Sequence, residues 1–213
     1  MSQAQAAAKW RSADEVWLDH ASLDEVDLEW LRPVKRLVLW SVRLSEGLQA
    51  RLPSLVSLEL RGGSGTTAIS AAGCSNLRFL AINQVRRLPD LDVLSTLISL
   101  EFLSLYGLPR VRSLPSMAPM HRLVRIELGS MKGLTGLTGL LDAPALEELL
   151  LIRTVAVAAS DAKDLADNTT LREFDWFGED VPVRVWAPFM EAVGRPKSRV
   201  LEQAEWFEQR AGR

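Results

Sequence analysis

The side chains best suited to catalysis or metal binding are two histidines and one cysteine, and their spacing favours neither role. His20 and His121 lie about a hundred residues apart, and no H-x-x-x-H or C-x-x-C pair occurs. The sequence therefore lacks a zinc ligand set. Because no motif places a Ser or Cys nucleophile beside a base, we interpret both histidines as exposed turn residues and Cys74 as a small buried residue.

A glycine-rich segment and three carboxylates are the remaining candidates for chemistry. The segment GGSGTT from Gly62 to Thr67 matches neither the G-x-x-x-x-G-K-[ST] phosphate loop nor the G-x-S-x-G nucleophile turn, so we interpret it as a connector. Glu59, Glu127 and Asp175 could act as acids or bases, but carboxylates that stand apart on a sheet are usually solvated. The sequence thus predicts a protein that is not an enzyme and needs no cofactor and no metal. An enzyme using one of these carboxylates is the least favoured alternative.

A short phrase, apolar-x-x-apolar-x-apolar, recurs along the chain and defines the elements that would position binding residues. Its eight copies begin 21 to 25 residues apart, at Ala13, Val34, Leu55, Leu77, Leu100, Leu123, Leu146 and Leu171. Alternation with a period of two is typical of a β-strand. The repeat resembles that of the leucine-rich-repeat family over roughly residues 13–179. The resemblance implies an α/β solenoid in which each phrase is one short strand of a curved parallel sheet on the concave side.

The chain between the strands carries a second period, of three residues, illustrated by Val85, Leu88, Leu91, Leu94 and Leu97. This spacing matches 3₁₀ turns or extended chain, whereas an α-helix would drift off that face. We therefore predict a convex side made mostly of 3₁₀ and irregular turns. The ninth repeat position, where many family members carry Asn or Cys that bonds backbone, is mostly apolar here. The main-chain N–H and C=O groups in the turn after each strand must therefore find hydrogen-bond partners other than a side chain at this position.

Both ends of the repeat array are predicted to be capped, because terminal repeats would otherwise expose apolar faces. Residues 1–12 would form the N-terminal cap, residues 13–179 the eight repeats, and residues 180–213 a helical C-terminal cap, all within one structural domain. The N-terminal cap would hold one helix from Gln3 to Trp10. Ser160 would cap a short helix in the longest complete repeat.

Two amphipathic helices are predicted in the C-terminal cap. The first ends at Gly194, and the second begins after an N-cap at Ser198. Their apolar faces would be formed by Trp186, Phe189, Met190 and Val193 and by Val200, Leu201, Ala204 and Phe207. We interpret the tryptophans at three positions as packing the core or the cap: Trp176, Trp186 and Trp206.

The third, fifth and seventh positions of each phrase are expected to point away from the core onto the concave face. Several hold Trp, Phe, Tyr or Arg, and such side chains dominate the energetics of protein interfaces. The predicted partner-binding residues are Trp17, Arg36, Trp40, Arg61, Phe79, Phe102, Tyr106 and Arg125. For Trp17, as for Phe177, packing under a terminal cap is the alternative.

Composition narrows the expected location and partners. The net charge of −2 gives no strong field for nucleic acid. The sequence shows neither a signal-peptide pattern nor an apolar run of about 18 residues that could span a membrane. We therefore expect a cytoplasmic monomer that binds a protein partner, not nucleic acid or a membrane.

A non-catalytic protein-binding module that uses its concave face is the leading functional hypothesis. Within it we favour a stoichiometric inhibitor of immunity type that neutralises one partner, a cognate toxin being one such partner. The stretch GEDVPVRVWAPFMEAVG is loosely similar to the endings of small bacterial repeat proteins of toxin–immunity loci. An exported effector or adaptor that recruits another protein is the alternative.

Overall fold

A parallel sheet with one strand per repeat is the framework of the protein. The computed structural model describes residues 1–44, 51–63 and 73–212. Its strands are β1 (Lys9–Trp10), β2 (Glu15–Asp19), β3 (Ser22–Leu23), β4 (Arg36–Trp40), β5 (Arg43–Leu44), β6 (Ser57–Arg61), β7 (Phe79–Asn83), β8 (Phe102–Tyr106), β9 (Arg125–Met131), β10 (Glu148–Val155) and β11 (Glu173–Phe177). Strands β2, β4 and β6 to β11 pair in parallel in chain order, and β1 is antiparallel to β2. Strands β3 and β5 form a separate pair.

The register of this sheet places equivalent repeat positions side by side. Each of the eight parallel strands begins at the third residue of its phrase, so one row crosses the sheet through those residues. The row runs through Glu15, Arg36, Ser57, Phe79, Phe102, Arg125, Glu148 and Glu173. The predicted leucine-rich-repeat solenoid is confirmed.

The residue that follows most of these strands has a left-handed backbone conformation, with φ of 49° at His20 and 63° at Gly62. The N–H groups of His20, Ser41 and Gln84 donate hydrogen bonds, 2.7 to 2.9 Å long, to the carbonyl oxygens of Trp40, Arg61 and Tyr106. Main-chain hydrogen bonds thus join each of these turns to the next repeat. They take the place of the side-chain bonds that the mostly apolar ninth position cannot make. The rest of the glycine-rich segment, Ser64 to Thr67, lies outside the described residues.

In the described residues the convex side consists mostly of short turns, as the period of three predicts. 3₁₀ helices span Glu25–Asp27 and Asp92–Thr96, and residues 107–124 form only turns and irregular chain. The α-helices within the described ranges are α1 (Gln3–Ala7), α2 (Leu28–Leu31), α3 (Thr138–Leu141), α4 (Asp161–Asp167), α5 (Val183–Val193) and α6 (Gln203–Ala211).

Two of the predicted helices differ in detail from the structure. Helix α1 ends at Ala7, and Trp10 belongs to β1, which pairs with the edge of β2. Ser160 occupies the N-cap position of α4, but its side chain makes no capping hydrogen bond. The buried carboxylate of Asp161 instead accepts from the N–H of Leu137 in the preceding repeat at 3.1 Å, so it ties two repeats together.

One apolar cluster fills the solenoid, and α5 covers its C-terminal end. The Phe189 ring lies 5.2 Å from Trp176 and 6.0 Å from Phe174. Gly194, with φ of 57°, ends the helix, since a left-handed residue is the usual helix stop. The first of the two predicted C-terminal helices is therefore confirmed.

Helix α6 does not continue this cap. It lies on the concave face, where Trp206 joins a second apolar cluster with Phe79, Ala81, Phe102 and Val124. The predicted N-cap at Ser198 is wrong, because Glu202 is the N-cap residue and Ser198 is buried. The predicted apolar face is correct only in part: Leu201 and Phe207 pack against the second cluster, whereas Val200 and Ala204 are exposed. A helix of this length buries one narrow stripe, and Trp206 is its largest apolar side chain.

Candidate partner-binding site

The middle of the concave face is covered by the chain's own C-terminal segment. The Phe79 and Phe102 rings pack edge to face at 5.0 Å, and Trp206 of α6 packs on Phe102 at 5.3 Å. Such edge-to-face pairs match the positive ring edge to the negative ring face. Three predicted partner-binding residues, Phe79, Phe102 and Arg125, are therefore buried. The expectation that they are exposed is wrong, because residues 198–212 lie over this part of the sheet.

A charged cluster forms beneath this segment around Arg125, whose side chain is 1% exposed. Its Nη1 donates to Glu148 Oε2 at 2.6 Å, and its Nη2 donates to Glu127 Oε1 at 2.7 Å. The same Nη2 also donates to the main-chain oxygen of Arg199 at 2.6 Å. Glu148 Oε2 in turn accepts from Trp206 Nε1 at 2.9 Å. Arg125 is thereby the centre of the polar contact between sheet and C-terminal segment.

The charged cluster is positioned by the sheet itself, independently of the C-terminal segment. Arg125 is the first residue of β9 and Glu148 the first of β10, and the parallel register sets them opposite each other. Glu127 follows Arg125 on the same face because strand side chains alternate. Burial raises the pKa of the Glu127 carboxyl, and the nearby Glu202 adds to this effect, although Arg125 and Ser104 favour its charged form.

The pKa of Glu127 predicts a pH dependence of stability that Glu127→Gln should remove. Because the folded protein binds this proton more readily than the unfolded chain, the stabilising contribution is fully present below the ordinary value of 4.5. It is lost as pH rises through the raised pKa. We expect the free energy of unfolding of the wild type, minus that of Glu127→Gln, to increase as pH falls from about 7 to about 4. Urea denaturation across that range measures it, and parallel curves for the two proteins would contradict it.

The N-terminal part of the concave face is free of the segment. We call Trp17, Arg36, Trp40 and Arg61 the N-terminal patch. The Arg61 guanidinium lies 5.1 Å from the Trp17 ring and 5.9 Å from the Trp40 ring, and Trp40 is 46% exposed. Arg61 Nε donates to Glu59 Oε1 at 2.6 Å. The patch therefore combines one exposed indole, that of Trp40, and one partly buried indole, that of Trp17, with a cation that is already oriented.

Arg36 completes the patch at its edge, with Nη2 3.0 Å from Asp14 Oδ1 and Nε 3.1 Å from Glu15 Oε2. A groove of about 480 Å³ runs between these strands and α6. The groove is lined by Trp17, Val38, Glu59 and Arg61 from the sheet and by Gln203 and Phe207 from α6. Helix α6 thus forms the boundary between the N-terminal patch and the covered middle of the concave face.

Tyr106 and Phe177 lie toward the far end of the strands. The Tyr106 ring occupies the space beside Gly129, where an added Cβ would stand 2.1 Å from Tyr106 Cδ2. It is half-buried against its neighbour strand, whereas Phe177 is exposed at the last strand. Neither ring contacts the N-terminal patch in the described structure, so the predicted binding residues do not form one continuous surface.

The candidates for catalysis remain dispersed in the described residues. Burial raises the pKa of the Cys74 thiol to about 11, which keeps it protonated and a poor nucleophile near neutral pH. Glu59 is engaged with Arg61, and Asp175 Oδ1 accepts from the N–H of Trp176 at 2.8 Å. No three His, Cys, Asp or Glu side chains in the described ranges are placed to hold a metal ion. Likewise, no helix there is long and apolar enough to cross a membrane.

Neither a protein-family model nor a curated protein matches the chain. Among solved structures, it is similar to internalin C2 from Listeria monocytogenes, with 17% identity and a TM-score of 0.49 over 76% of this chain and 80% of that chain. A second internalin of that species, InlF, is 14% identical with a TM-score of 0.27, over 84% of this chain and 71% of that chain. The fold assignment rests on the strand order and register of the chain itself.

Proposed function

We propose that this chain is a non-catalytic protein-binding module whose partner docks on the N-terminal patch. The observation that carries the proposal is the Arg61 guanidinium lying within 6 Å of two indole rings, the exposed ring of Trp40 and the partly buried ring of Trp17. Trp and Arg are enriched among the residues that dominate binding energy. Exposed apolar surface that is grouped in one place also marks interaction sites on soluble proteins.

The ion pairs of the patch support the same proposal. Arg61 is held by Glu59, and Arg36 is held by Asp14 and Glu15. A partner that docks here orders few side chains, since both guanidinium groups are already fixed. Preorganisation of this kind lowers the entropy that binding costs and favours a tight complex.

We further propose that the partner is neutralised by stoichiometric binding, as an inhibitor of immunity type would act on a toxin. Neutralisation by masking needs only a tight one-to-one complex, and the patch offers aromatic and arginine anchors without a catalytic group. The test is to express candidate toxic proteins with and without this chain and to measure growth and complex stoichiometry. Binding without any loss of the partner's activity would contradict neutralisation and leave the binding module itself intact.

Trp40→Ala is expected to weaken partner binding about 30-fold or more, since truncating an aromatic hot spot typically removes 2 kcal/mol or more. The dissociation constant is measured by isothermal titration calorimetry on the purified complex. Ile98→Ala is the matched control, because Ile98 is also an apolar residue about half exposed, at 55%, but lies in a convex turn. Equal affinity of Trp40→Ala and the wild type would place the binding site elsewhere.

A further inference from the structure

We propose that residues 198–212 are an intramolecular ligand of the concave face, and that the partner displaces them with an aromatic-bearing helix of its own. The proposal rests on the proposed function, since it names what the partner presents and what it must displace. We call the form in which α6 lies on the sheet the closed form. Its release would expose Phe79, Phe102 and Arg125, and so extend the N-terminal patch across the middle of the sheet.

Helix α6 is attached to the sheet through side chains. Gln203 Nε2 donates to Ser57 Oγ at 3.0 Å, and Trp206 Nε1 donates to Glu148 Oε2 at 2.9 Å. The helix has nine residues, its N-cap residue makes no side-chain capping bond, and residues 195–202 before it form neither helix nor strand. Helices shorter than about 12 residues are marginal in water by themselves. The order of α6 therefore depends on the face that it covers.

The face beneath α6 is paired within itself. Glu101 accepts from Arg78 at 2.8 Å and from Arg122 at 2.9 Å, and none of these residues belongs to the C-terminal segment. Arg125 likewise keeps Glu127 and Glu148 when Arg199 leaves. Release would turn buried ion pairs into hydrated ones and would leave no charge buried without a partner. The apolar surface newly exposed is confined to the small second cluster.

The contacts of α6 specify the chemistry of the displacing segment. The displacing segment must place an aromatic ring against Phe102, where the Trp206 ring now lies. It must also offer the Glu148 carboxylate either an N–H donor on that ring or a cation. A main-chain or side-chain oxygen takes the place of the Arg199 carbonyl at Arg125. Because Gln203 and Phe207 also line the groove beside the N-terminal patch, one partner can occupy the patch and replace α6 in the same movement.

Amide hydrogen exchange on the full-length protein tests whether α6 opens by itself. We expect the amides of α6 to exchange about 100-fold faster than those of β8 and β9, because local opening needs less free energy than global unfolding. Trp206→Ala should speed exchange in α6 further and leave the strands protected. Glu205→Ala is the matched control, since Glu205 is the neighbouring exposed residue of the same helix. Equal rates in α6 and the strands, in both the wild type and Trp206→Ala, would overturn the proposal.

A synthetic peptide of residues 198–212 tests whether the concave face beneath α6 binds this segment as a separate ligand. Added to full-length Trp206→Ala protein, the peptide should cause saturable NMR shifts in β7 to β9, whereas the wild type should show none because its own α6 occupies the site. The same peptide with alanine in place of the tryptophan should not bind. Absence of binding to Trp206→Ala would overturn the proposal. Neither experiment contains the partner, so these results stand or fall independently of the proposed function.

Discussion

Replacing Arg125 with alanine is expected to destabilise the closed form by about 3–5 kcal/mol, the range seen when one member of a buried ion pair is removed. Without the guanidinium, Glu127 and Glu148 would face each other under α6 with no cation between them. Desolvation and mutual repulsion then oppose the docking of α6, and the Arg199 carbonyl loses its donor. Because α6 can leave and hydrate both carboxylates, the solenoid itself should stay folded.

Hydrogen exchange and urea denaturation together measure this outcome. In Arg125→Ala, protection of the α6 amides should fall by about 150- to 5,000-fold, the factor that corresponds to this loss of free energy, while that of β7 and β8 changes much less. Arg122→Ala is the matched control: Arg122 pairs with Glu101 at 2.9 Å, but its side chain is 62% exposed, and Glu101 retains Arg78. That change should cost less than about 1 kcal/mol. Equal effects of the two substitutions would contradict a central role for Arg125.

Gly139→Ala is expected to destabilise the solenoid by about 3 kcal/mol or more, in the range of severe steric changes. Gly139 lies in α3, against the turn of the preceding repeat. A Cβ at this position would stand 2.2 Å from the main-chain oxygen of Leu114 and 2.5 Å from that of Pro115. Both atoms belong to backbone, so relief requires the two convex turns to move apart, and the core between the repeats would open with them.

Thermal unfolding measures the effect, with an expected fall in Tm of roughly 6–12 °C for a chain of this size. Gly212→Ala is the control, since a Cβ there would approach nothing closer than 3.8 Å. Its Tm should stay within about 2 °C of the wild type, as for most surface changes. A Tm of Gly139→Ala equal to that of the control would mean that the convex turns are less tightly stacked than the structure indicates.

The strands and the faces of their side chains could be predicted because both depend on local periodicity. Alternation inside each phrase separates buried residues such as Leu80 and Leu103 from those on the concave face, and the period of three predicts the convex turns. These patterns involve residues close in the chain, so tertiary packing reinforces them. The placement of Trp17, Trp40 and Arg61 on the concave face follows from the same alternation.

The covering of the concave face by α6 could not be predicted in this way. A helix that caps the end of a solenoid and a helix that lies on its sheet have the same local pattern, and the partner of Trp206 on the sheet, Glu148, is 58 residues away. One signal was present in the sequence. The parallel register sets Glu148 beside Arg125, and alternation along β9 puts Glu127 on the same face. Such an arrangement suits a covered position because each charge has a neighbour of opposite sign.

Helix α6 also has a consequence for how force and motion pass through the molecule. Each repeat of a solenoid contacts only its neighbours, so distant repeats are mechanically independent. The C-terminal segment breaks that rule, because Gln203 meets Ser57 on β6 while Trp206 meets Glu148 on β10. Helix α6 therefore bridges the curved sheet from β6 to β10, across five strands. We therefore expect docked α6 to restrict changes in the curvature of this part of the sheet, and its release to allow the sheet to flatten or to curve more tightly.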